Sequence, residues 1–240
     1  MLEAVTFDFW DTLLHEELSA MRTGQLAAWE GLLVEAGHPT DPVALAAAFD
    51  ENWIEFERCW ELNAGPYTPE ATTDFICGRV GLEPDESLRT ALSNAFREVG
   101  ETVPLEPAPN AEACLSALRD AGLRLAIVCD VGLVRSPTLR SRLDGFGLLG
   151  YFEAWSFSDE TGWFKPAAEA FRPALEGLGV ADPSRVAHVG DNLRTDAAGA
   201  LALGMTAVRY TGLVDRADER LPEATHVIAD LGDLPGVLRI

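Results

Sequence analysis

Residues 5–14 read VTFDFWDTLL, and this stretch decides the fold. A short apolar run ends on the carboxylate of Asp8, and Asp11 with Thr12 then marks a tight turn. An aspartate at the carboxyl end of the first strand of an α/β sheet points into the crevice where ligands bind. Asp8 is therefore a candidate nucleophile or metal ligand, although a strand-end aspartate also commonly caps the turn that follows.

Short apolar runs with similar boundaries recur along the chain. Each is bounded by Gly, Pro, Asp or Asn, and helical patterns separate them. This alternation predicts an α/β fold with a doubly wound parallel sheet. The predicted strands are residues 4–9, 123–129, 154–157, 186–189 and 207–210, with a sixth candidate at 226–228. The predicted helices among them are residues 111–121, 136–143, 167–178 and 192–203.

The segment from residue 15 to residue 103 has a different character. It lacks strand-like runs and is rich in Ala, Leu, Glu and Trp. Trp53, Phe56 and Trp60 fall on one helical stripe, which we expect to lie in the core of a helical domain. The periodicity predicts helices over residues 21–36, 42–62, 69–80 and 86–99.

A proline-rich return segment closes this helical insert. Residues 104–109 read PLEPAP, which is typical of a rigid linker. We therefore expect two domains. They are a core of residues 1–14 plus 104–240 and an α-helical cap of residues 15–103.

The composition argues against several classes of partner. The chain has 39 acidic and 18 basic residues, for a formal net charge of -21. Nucleic acids and anionic membrane surfaces require basic patches, so neither is an expected partner. No apolar stretch approaches the ~20 residues that span a bilayer. Four cysteines without a C-x-x-C pair, and no signal-peptide pattern, indicate reduced thiols and a cytoplasmic location.

Three further polar motifs follow predicted strands. Cys129 and Asp130 end the second strand. Residues 157–166, FSDETGWFKP, begin at the end of the third strand, and residues 188–192, HVGDN, cover the end of the fourth. Because the carboxyl ends of parallel strands meet at one edge of a sheet, we expect all these motifs to converge on Asp8.

With these motifs in this order, the chain resembles the haloacid dehalogenase (HAD) superfamily of hydrolases, in the branch with a helical cap after the first motif. The resemblance covers the segments around residues 4–14, 110–130 and 154–208, whereas the insert fits by position and not by motif. It implies a Rossmann-like core and a phosphatase that acts on a small phosphorylated molecule.

The resemblance also implies roles for individual residues. Asp8 would be the nucleophile and would form an aspartyl-phosphate that water then hydrolyses. Mg²⁺ would be held by the Asp8 carboxylate, the backbone carbonyl of Trp10 and Asp191, which are the hard oxygen ligands that this ion prefers. Lys165 would hold both the nucleophile and the phosphoryl oxygens.

Further substrate contacts are implied at the ends of the second and fourth strands. The positions of Cys129 and Asp130 would contact the phosphoryl group, the latter through its backbone amide. Asn192 is a further candidate, and with Asp196 it could order the surroundings of the metal or the loop itself.

Two positions depart from the family pattern. Trp10 stands where these phosphatases usually carry a second aspartate, which protonates the leaving alcohol and later activates water. Losing a general acid typically costs about 10²–10⁴ in rate. Asp11 and His15 are candidate substitutes. Cys129 stands where Ser or Thr usually bonds the phosphoryl oxygen, and a thiol is a weaker donor.

Two other interpretations stay open. The chain could be a 2-haloacid dehalogenase-like hydrolase, which an aromatic residue at Trp10 would suit. Against this, Gly190-Asp191 favours a metal site, and Asp130 would repel a substrate carboxylate. The chain could also be a catalytically weakened protein that binds a phosphometabolite. In each case it would act as a monomer or a homodimer.

Overall fold

The computed structural model describes residues 1–16, 19–61, 68–215, 218 and 220–240. Its contacts divide the chain into two compact units. The first comprises Met1–His15, Leu105–Asp130 and Arg140–Ile240, and the second comprises Glu16–Pro104 and Val131–Leu139. The predicted helix end at residue 62 and the side chain of Trp60 lie outside the described residues.

The first unit is built on a parallel sheet, which confirms the predicted α/β class. The strands of the described residues are β1 (Ala4–Phe7), β2 (Leu14–Glu16), β3 (Leu105–Pro107), β4 (Arg124–Cys129), β5 (Ala154–Phe157), β6 (Val186–Gly190), β7 (Thr206–Tyr210) and β8 (His226–Ile228). Six of them form one sheet in the order β5-β4-β1-β6-β7-β8. A second sheet pairs β2 with β3.

The order of the strands creates a crevice beside β1. From β1 the chain passes outward through β4 and β5, and it then returns to β6 on the opposite side of β1. Such a reversal between β1 and β6 is the topological switch point at which open α/β sheets bind ligands. Phe7 lies opposite Val189, and the amide of Asp8 donates to the Val189 carbonyl at 2.8 Å.

The central strands form where the sequence is continuously apolar. All four residues of β1 and all five of β6 are buried, as expected for parallel strands covered on both faces. Helices cover the sheet because their apolar residues recur at helical spacing, as in the helix Ala168–Gly177 with Ala170, Phe171 and Ala174. The helices of the described residues are α1 (Ala20–Glu35), α2 (Pro42–Glu61), α3 (Pro69–Arg79), α4 (Glu86–Thr102), α5 (Ala111–Asp120), α6 (Ser136–Gly145), α7 (Ser158–Thr161), α8 (Ala168–Gly177), α9 (Ala198–Ala202) and α10 (Leu234–Val237).

The region after β6 differs from the single helix predicted over residues 192–203. A π-helical turn, Leu193–Ala197, precedes α9. The amide of Ala197 donates to the carbonyl of Asn192, five residues back, at 3.2 Å. Such wide turns occur frequently at functional sites, and this one follows directly on the end of β6.

The second unit consists mainly of α1 to α4 around an aromatic core. The rings of Trp29, Phe49 and Phe96 have centroids 5.4–6.2 Å apart, and the Trp29 indole donates to the Leu92 carbonyl at 3.1 Å. The predicted core position of Trp53 is wrong, because this residue is 59% exposed. The aromatic core instead takes its rings from α1, α2 and α4. No helix among the described residues is long and apolar enough to cross a bilayer.

The segment predicted as a rigid linker contains a strand. Leu105–Pro107 forms β3, which pairs with β2. The amide of Ala108 also donates to the Leu13 carbonyl at 2.9 Å. The chain segments that lead into and out of the helical insert are therefore hydrogen bonded to each other.

Candidate active site

Three buried carboxylates meet at the carboxyl ends of β1 and β6. Asp8 follows β1 directly, and Asp191 follows the last residue of β6. One turn later, Asp196 turns back toward them from the π-helical turn. One carboxylate oxygen from each residue lies within 4.8 Å of the other two. Two acids separated by more than 180 positions are thus brought together by the pairing of β1 with β6.

Lys165 lies between two of these carboxylates. Its Nζ atom is 2.8 Å from Oδ1 of Asp8 and 2.6 Å from Oδ1 of Asp196, and the side chain is 2% exposed. The backbone of this residue is held as well, since its amide donates to Oδ1 of Asp130 at 3.1 Å. The segment after α7 therefore places a buried ammonium against the candidate nucleophile.

Asp196 is held by hydrogen bonds to both carboxylate oxygens. Oδ1 lies 3.1 Å from Nε2 of His188, and Oδ2 accepts from the Asn192 amide at 3.0 Å. Gly190 makes room for this carboxylate, because a Cβ atom at residue 190 would lie 2.2 Å from Cγ of Asp196. These contacts hold the Asp196 carboxylate in a position where it pairs with Lys165.

Burial and charge shift the pKa values of this cluster in different directions. Burial raises the pKa of the Asp8 carboxyl to about 7, against the opposing charge of Lys165. Burial also acts to raise the pKa of Asp196, but the charge of Lys165 and the hydrogen bond from His188 outweigh it and hold that pKa below its usual range. Burial acts to lower the pKa of Lys165, yet Asp196 and Asp8 raise it well above normal.

The donor set of the cluster fits a hard divalent cation. Carboxylate oxygens are the ligands that Mg²⁺ prefers, and three of them are gathered here. Lys165 is paired with both Asp8 and Asp196, so one ammonium is shared by two carboxylates. An additional cation near Asp8 would favour the ionised form of that carboxyl. Asp196 is already engaged by Lys165 and His188, so Asp8 and Asp191 are the better candidates as ligands.

The predicted substrate contacts occupy distinct positions. Cys129 is 1% exposed at the end of β4, and burial raises its pKa well above normal, so its thiol is protonated. Asp130 holds the Lys165 amide, as described above. The side-chain oxygen of Asn192 caps the π-helical turn, because it accepts from the amide of Arg194 at 2.9 Å. Any substrate contact from the Asn192 side chain would therefore use its Nδ2 atom. Contacts of Cys129, Asp130 and Asn192 with a substrate stay predictions.

The turn after Asp8 carries no acid at the position of Trp10. The Trp10 ring packs against Phe9, edge to face, at a centroid distance of 4.9 Å. Asp11 adopts a left-handed conformation with φ of 55°, and its Oδ1 lies 2.7 Å from Nδ1 of His15. The two candidate substitutes for the missing acid are thus paired with each other. The role of the Trp10 carbonyl toward a metal stays a prediction.

Sequence reasoning missed the partners of His188. From the sequence alone, a histidine within an apolar strand is most simply a packed core residue. In the structure its Nδ1 atom also lies 2.8 Å from Oγ1 of Thr6, on the neighbouring strand. The only available signal is register, since Thr6 and His188 are paired positions of β1 and β6, and register between distant strands is not readable from local sequence.

Known proteins resemble this chain over most of its length. A sequence model of the haloacid dehalogenase-like hydrolase family matches residues 2–204. The chain is 28% identical to ribulose-1,5-bisphosphate 5-phosphatase of Halopiger xanaduensis, over 98% of this chain and 98% of that protein. It is 27% identical to (S)-2-haloacid dehalogenase of Xanthobacter autotrophicus, over 100% of this chain and 96% of that protein.

Solved structures show the same similarity. The crystal structure of a HAD phosphatase from Thermococcus onnurineus superposes with a TM-score of 0.71 at 25% identity. The match covers 99% of this chain and 98% of that one. Phosphatases and dehalogenases therefore both occur among the proteins that this chain resembles.

Proposed function

Because this chain belongs to the haloacid dehalogenase-like hydrolases, we propose that it is a Mg²⁺-dependent phosphatase that hydrolyses a small organic phosphate through an aspartyl-phosphate. One observation carries the proposal. The Asp8 carboxylate lies at the switch point of the sheet, 2.8 Å from the Lys165 ammonium and beside Asp191. A buried carboxylate held in this way is oriented for attack on a phosphorus atom placed in the crevice.

The residues of the site supply nucleophile and charge. An oxygen of Asp8 attacks phosphorus, the bond to the leaving oxygen breaks, and the phosphoryl group is carried on the carboxylate. Lys165 lies against Asp8 and provides positive charge where negative charge develops on the phosphoryl oxygens. Water then attacks the aspartyl-phosphate, which releases phosphate and regenerates Asp8.

Magnesium would be held by the carboxylates of Asp8 and Asp191 with the backbone carbonyl of Trp10. The bound ion would offset the repulsion between an anionic nucleophile and an anionic phosphoryl group. This assignment agrees with the donor chemistry of the cluster and with the engagement of Asp196 by other partners.

The packing of Trp10 narrows the class of substrate. A ring that packs on Phe9 supplies no proton to a leaving alkoxide. Good leaving groups need less protonation, so acyl phosphates and activated esters are the substrates that this site suits best. Simple alkyl phosphates are expected to react more slowly.

A dehalogenase is the second candidate. Its support is the same aromatic residue, because expulsion of a halide requires no general acid at Trp10. The (S)-2-haloacid dehalogenase of Xanthobacter autotrophicus matches over the whole of this chain. Against it, the grouping of three carboxylates at the crevice disfavours a substrate carboxylate unless a cation is bound.

A substrate panel with and without Mg²⁺ tests the proposal. The wild-type protein is expected to release phosphate from acyl phosphates and activated esters only with Mg²⁺ present. Asp8→Asn is expected to lower kcat by about 10⁴-fold or more, because the nucleophile is lost. Asp120→Asn makes the same change of charge on the exposed end of α5 and should leave kcat unchanged.

The other outcomes have defined meanings. Equal turnover by Asp8→Asn would remove Asp8 from the mechanism and overturn the proposal. Halide release from a 2-haloacid without Mg²⁺ would establish the dehalogenase instead. Tight binding of a phosphorylated compound with no turnover across the panel would identify a binding protein.

A further inference from the structure

A chain of hydrogen bonds leads from the interior of the sheet to the candidate nucleophile. We propose that Thr6 and His188 are positioning residues, which hold Asp196 and, through it, fix the Lys165 ammonium against Asp8. The inference rests on the proposed function, since it assigns these residues to the same reaction. Thr6 lies two residues before Asp8 in the first strand, and the sequence pattern assigns it no chemical role.

The distances define a continuous path. Oγ1 of Thr6 lies 2.8 Å from Nδ1 of His188, whose Nε2 lies 3.1 Å from Oδ1 of Asp196. That oxygen lies 2.6 Å from Nζ of Lys165, which in turn lies 2.8 Å from Oδ1 of Asp8. Thr6 is 0% exposed and His188 is 1% exposed, so water does not compete for these bonds.

The chemistry of the groups sets the direction of each bond. An ionised Asp196 only accepts hydrogen bonds, so Nε2 of His188 carries the proton that it donates. Burial lowers the pKa of His188, and in a neutral imidazole Nδ1 is then an acceptor. The Thr6 hydroxyl therefore donates to Nδ1, since its alternative acceptor, the Ala187 carbonyl, is farther away at 3.4 Å. Thr6 thus selects the tautomer of His188 that can support Asp196.

The environment of the imidazole also orients its plane. The Phe171 ring meets His188 edge to face, at an interplanar angle of 79° and a centroid distance of 5.1 Å.

The carboxylate of Asp196 accepts hydrogen bonds from three donors, which are His188, Lys165 and the Asn192 backbone amide. Removal of the His188 donor leaves Oδ1 of Asp196 held by Lys165 alone, and both side chains gain freedom at the nucleophile.

Two matched pairs of variants test the positioning role. His188→Gln keeps an N–H donor near the position of Nε2, whereas His188→Leu removes it. Thr6→Ser keeps the hydroxyl, whereas Thr6→Val is nearly the same shape without one. We expect His188→Leu and Thr6→Val to lower kcat by about 10- to 100-fold, as the loss of supporting hydrogen bonds around a site commonly does.

The kinetic pattern separates positioning from general stability. KM is expected to change little, because neither residue is placed in contact with substrate. Gln and Ser should restore most of the lost kcat, while thermal unfolding measured on all four variants controls for the fold. Equal losses within each pair, at equal thermal stability, would contradict the proposal, as would an unchanged kcat in His188→Leu or Thr6→Val. If His188→Leu fails to fold, the threonine pair still tests the chain of bonds.

An NMR measurement on the protein without substrate keeps this inference separate from the proposed function. Imidazole ¹⁵N shifts should show His188 protonated at Nε2 and not at Nδ1. The ammonium signal of Lys165, protected by burial, should broaden in His188→Leu. Protonation at Nδ1, or an unchanged Lys165 signal in that variant, would overturn the inference. Lack of turnover by the wild-type protein would overturn the proposed function while leaving these signals informative.

Discussion

Asp196 shows at the scale of single residues how close packing defines this site. Its carboxylate lies so near the backbone of residue 190 that only glycine leaves room for it. The same carboxylate pairs with Lys165, and Lys165 pairs with Asp8. The absence of one methyl group at residue 190 is therefore a condition for the position of the candidate nucleophile.

Substitution of Gly190 should impair turnover. In Gly190→Ala the new methyl group would lie 2.5 Å from Cβ of Asp196, so the carboxylate must shift away from Lys165. We expect kcat to fall by about 10-fold or more, in line with small displacements at preorganised sites. Gly145→Ala, where a methyl group meets no atom within 4 Å, is the matched control in the same unit. Normal turnover by Gly190→Ala would show that the contact does not determine the geometry of the site.

Helix caps illustrate how single elements contribute differently to stability and to function. The side chain of Asp85 caps α4 by accepting from the Leu88 amide at 2.8 Å. The side chain of Asn192 caps the π-helical turn after β6, between Asp191 and Asp196. Both caps satisfy amide groups that a helix start leaves without partners. Only the second cap lies within the candidate site.

Removal of either cap should cost similar stability but different activity. Asp85→Ala and Asn192→Ala are each expected to lower the free energy of unfolding by about 1 kcal/mol. Asn192→Ala should also reduce kcat, because the turn that carries Asp196 loosens, whereas Asp85→Ala should leave it unchanged. Denaturant unfolding and steady-state kinetics on both variants provide the measurement. Equal kcat values for the two variants would contradict a role of the π-helical turn in catalysis.

The charge of the whole molecule has a measurable consequence. A formal net charge of -21 produces self-repulsion, which is stronger in the compact state. Exposed ion pairs such as Arg97 with Glu101 are individually weak because water screens them, so we expect screening of the net repulsion to be the larger effect of salt.

Salt should therefore stabilise the fold. Between about 10 mM and 150 mM salt the Debye length falls from ~30 Å to ~8 Å, and Tm is expected to rise over this range. Differential scanning calorimetry with NaCl and with KCl should give the same increase, since screening does not depend on the identity of the cation. A constant or falling Tm would show that ion pairs outweigh the net repulsion.

Much of the fold and part of the candidate site were predictable because their signals are local. Apolar runs bounded by turn residues placed all six strands of the main sheet, since burial of a parallel strand requires a continuous apolar sequence. The sequence predicts that Asp8, Lys165 and Asp191 converge, because the motif that contains each of them lies at the carboxyl end of such a strand. Three elements were not predicted, and they are β2, β3 and the π-helical turn. Each depends on backbone hydrogen bonds whose partners cannot be identified from the local pattern of apolar and polar residues.

The sequence by itself determined the α/β class and the edge of the sheet at which the polar motifs gather. Only the tertiary structure decided which groups touch there. Thr6 and His188 are 182 positions apart, and they meet because β1 pairs with β6 in one register. The spacing of apolar and polar residues along a chain indicates which residues are buried. A hydrogen bond between strands depends on their register and on the distance between the atoms, and these are set only once the sheet has formed.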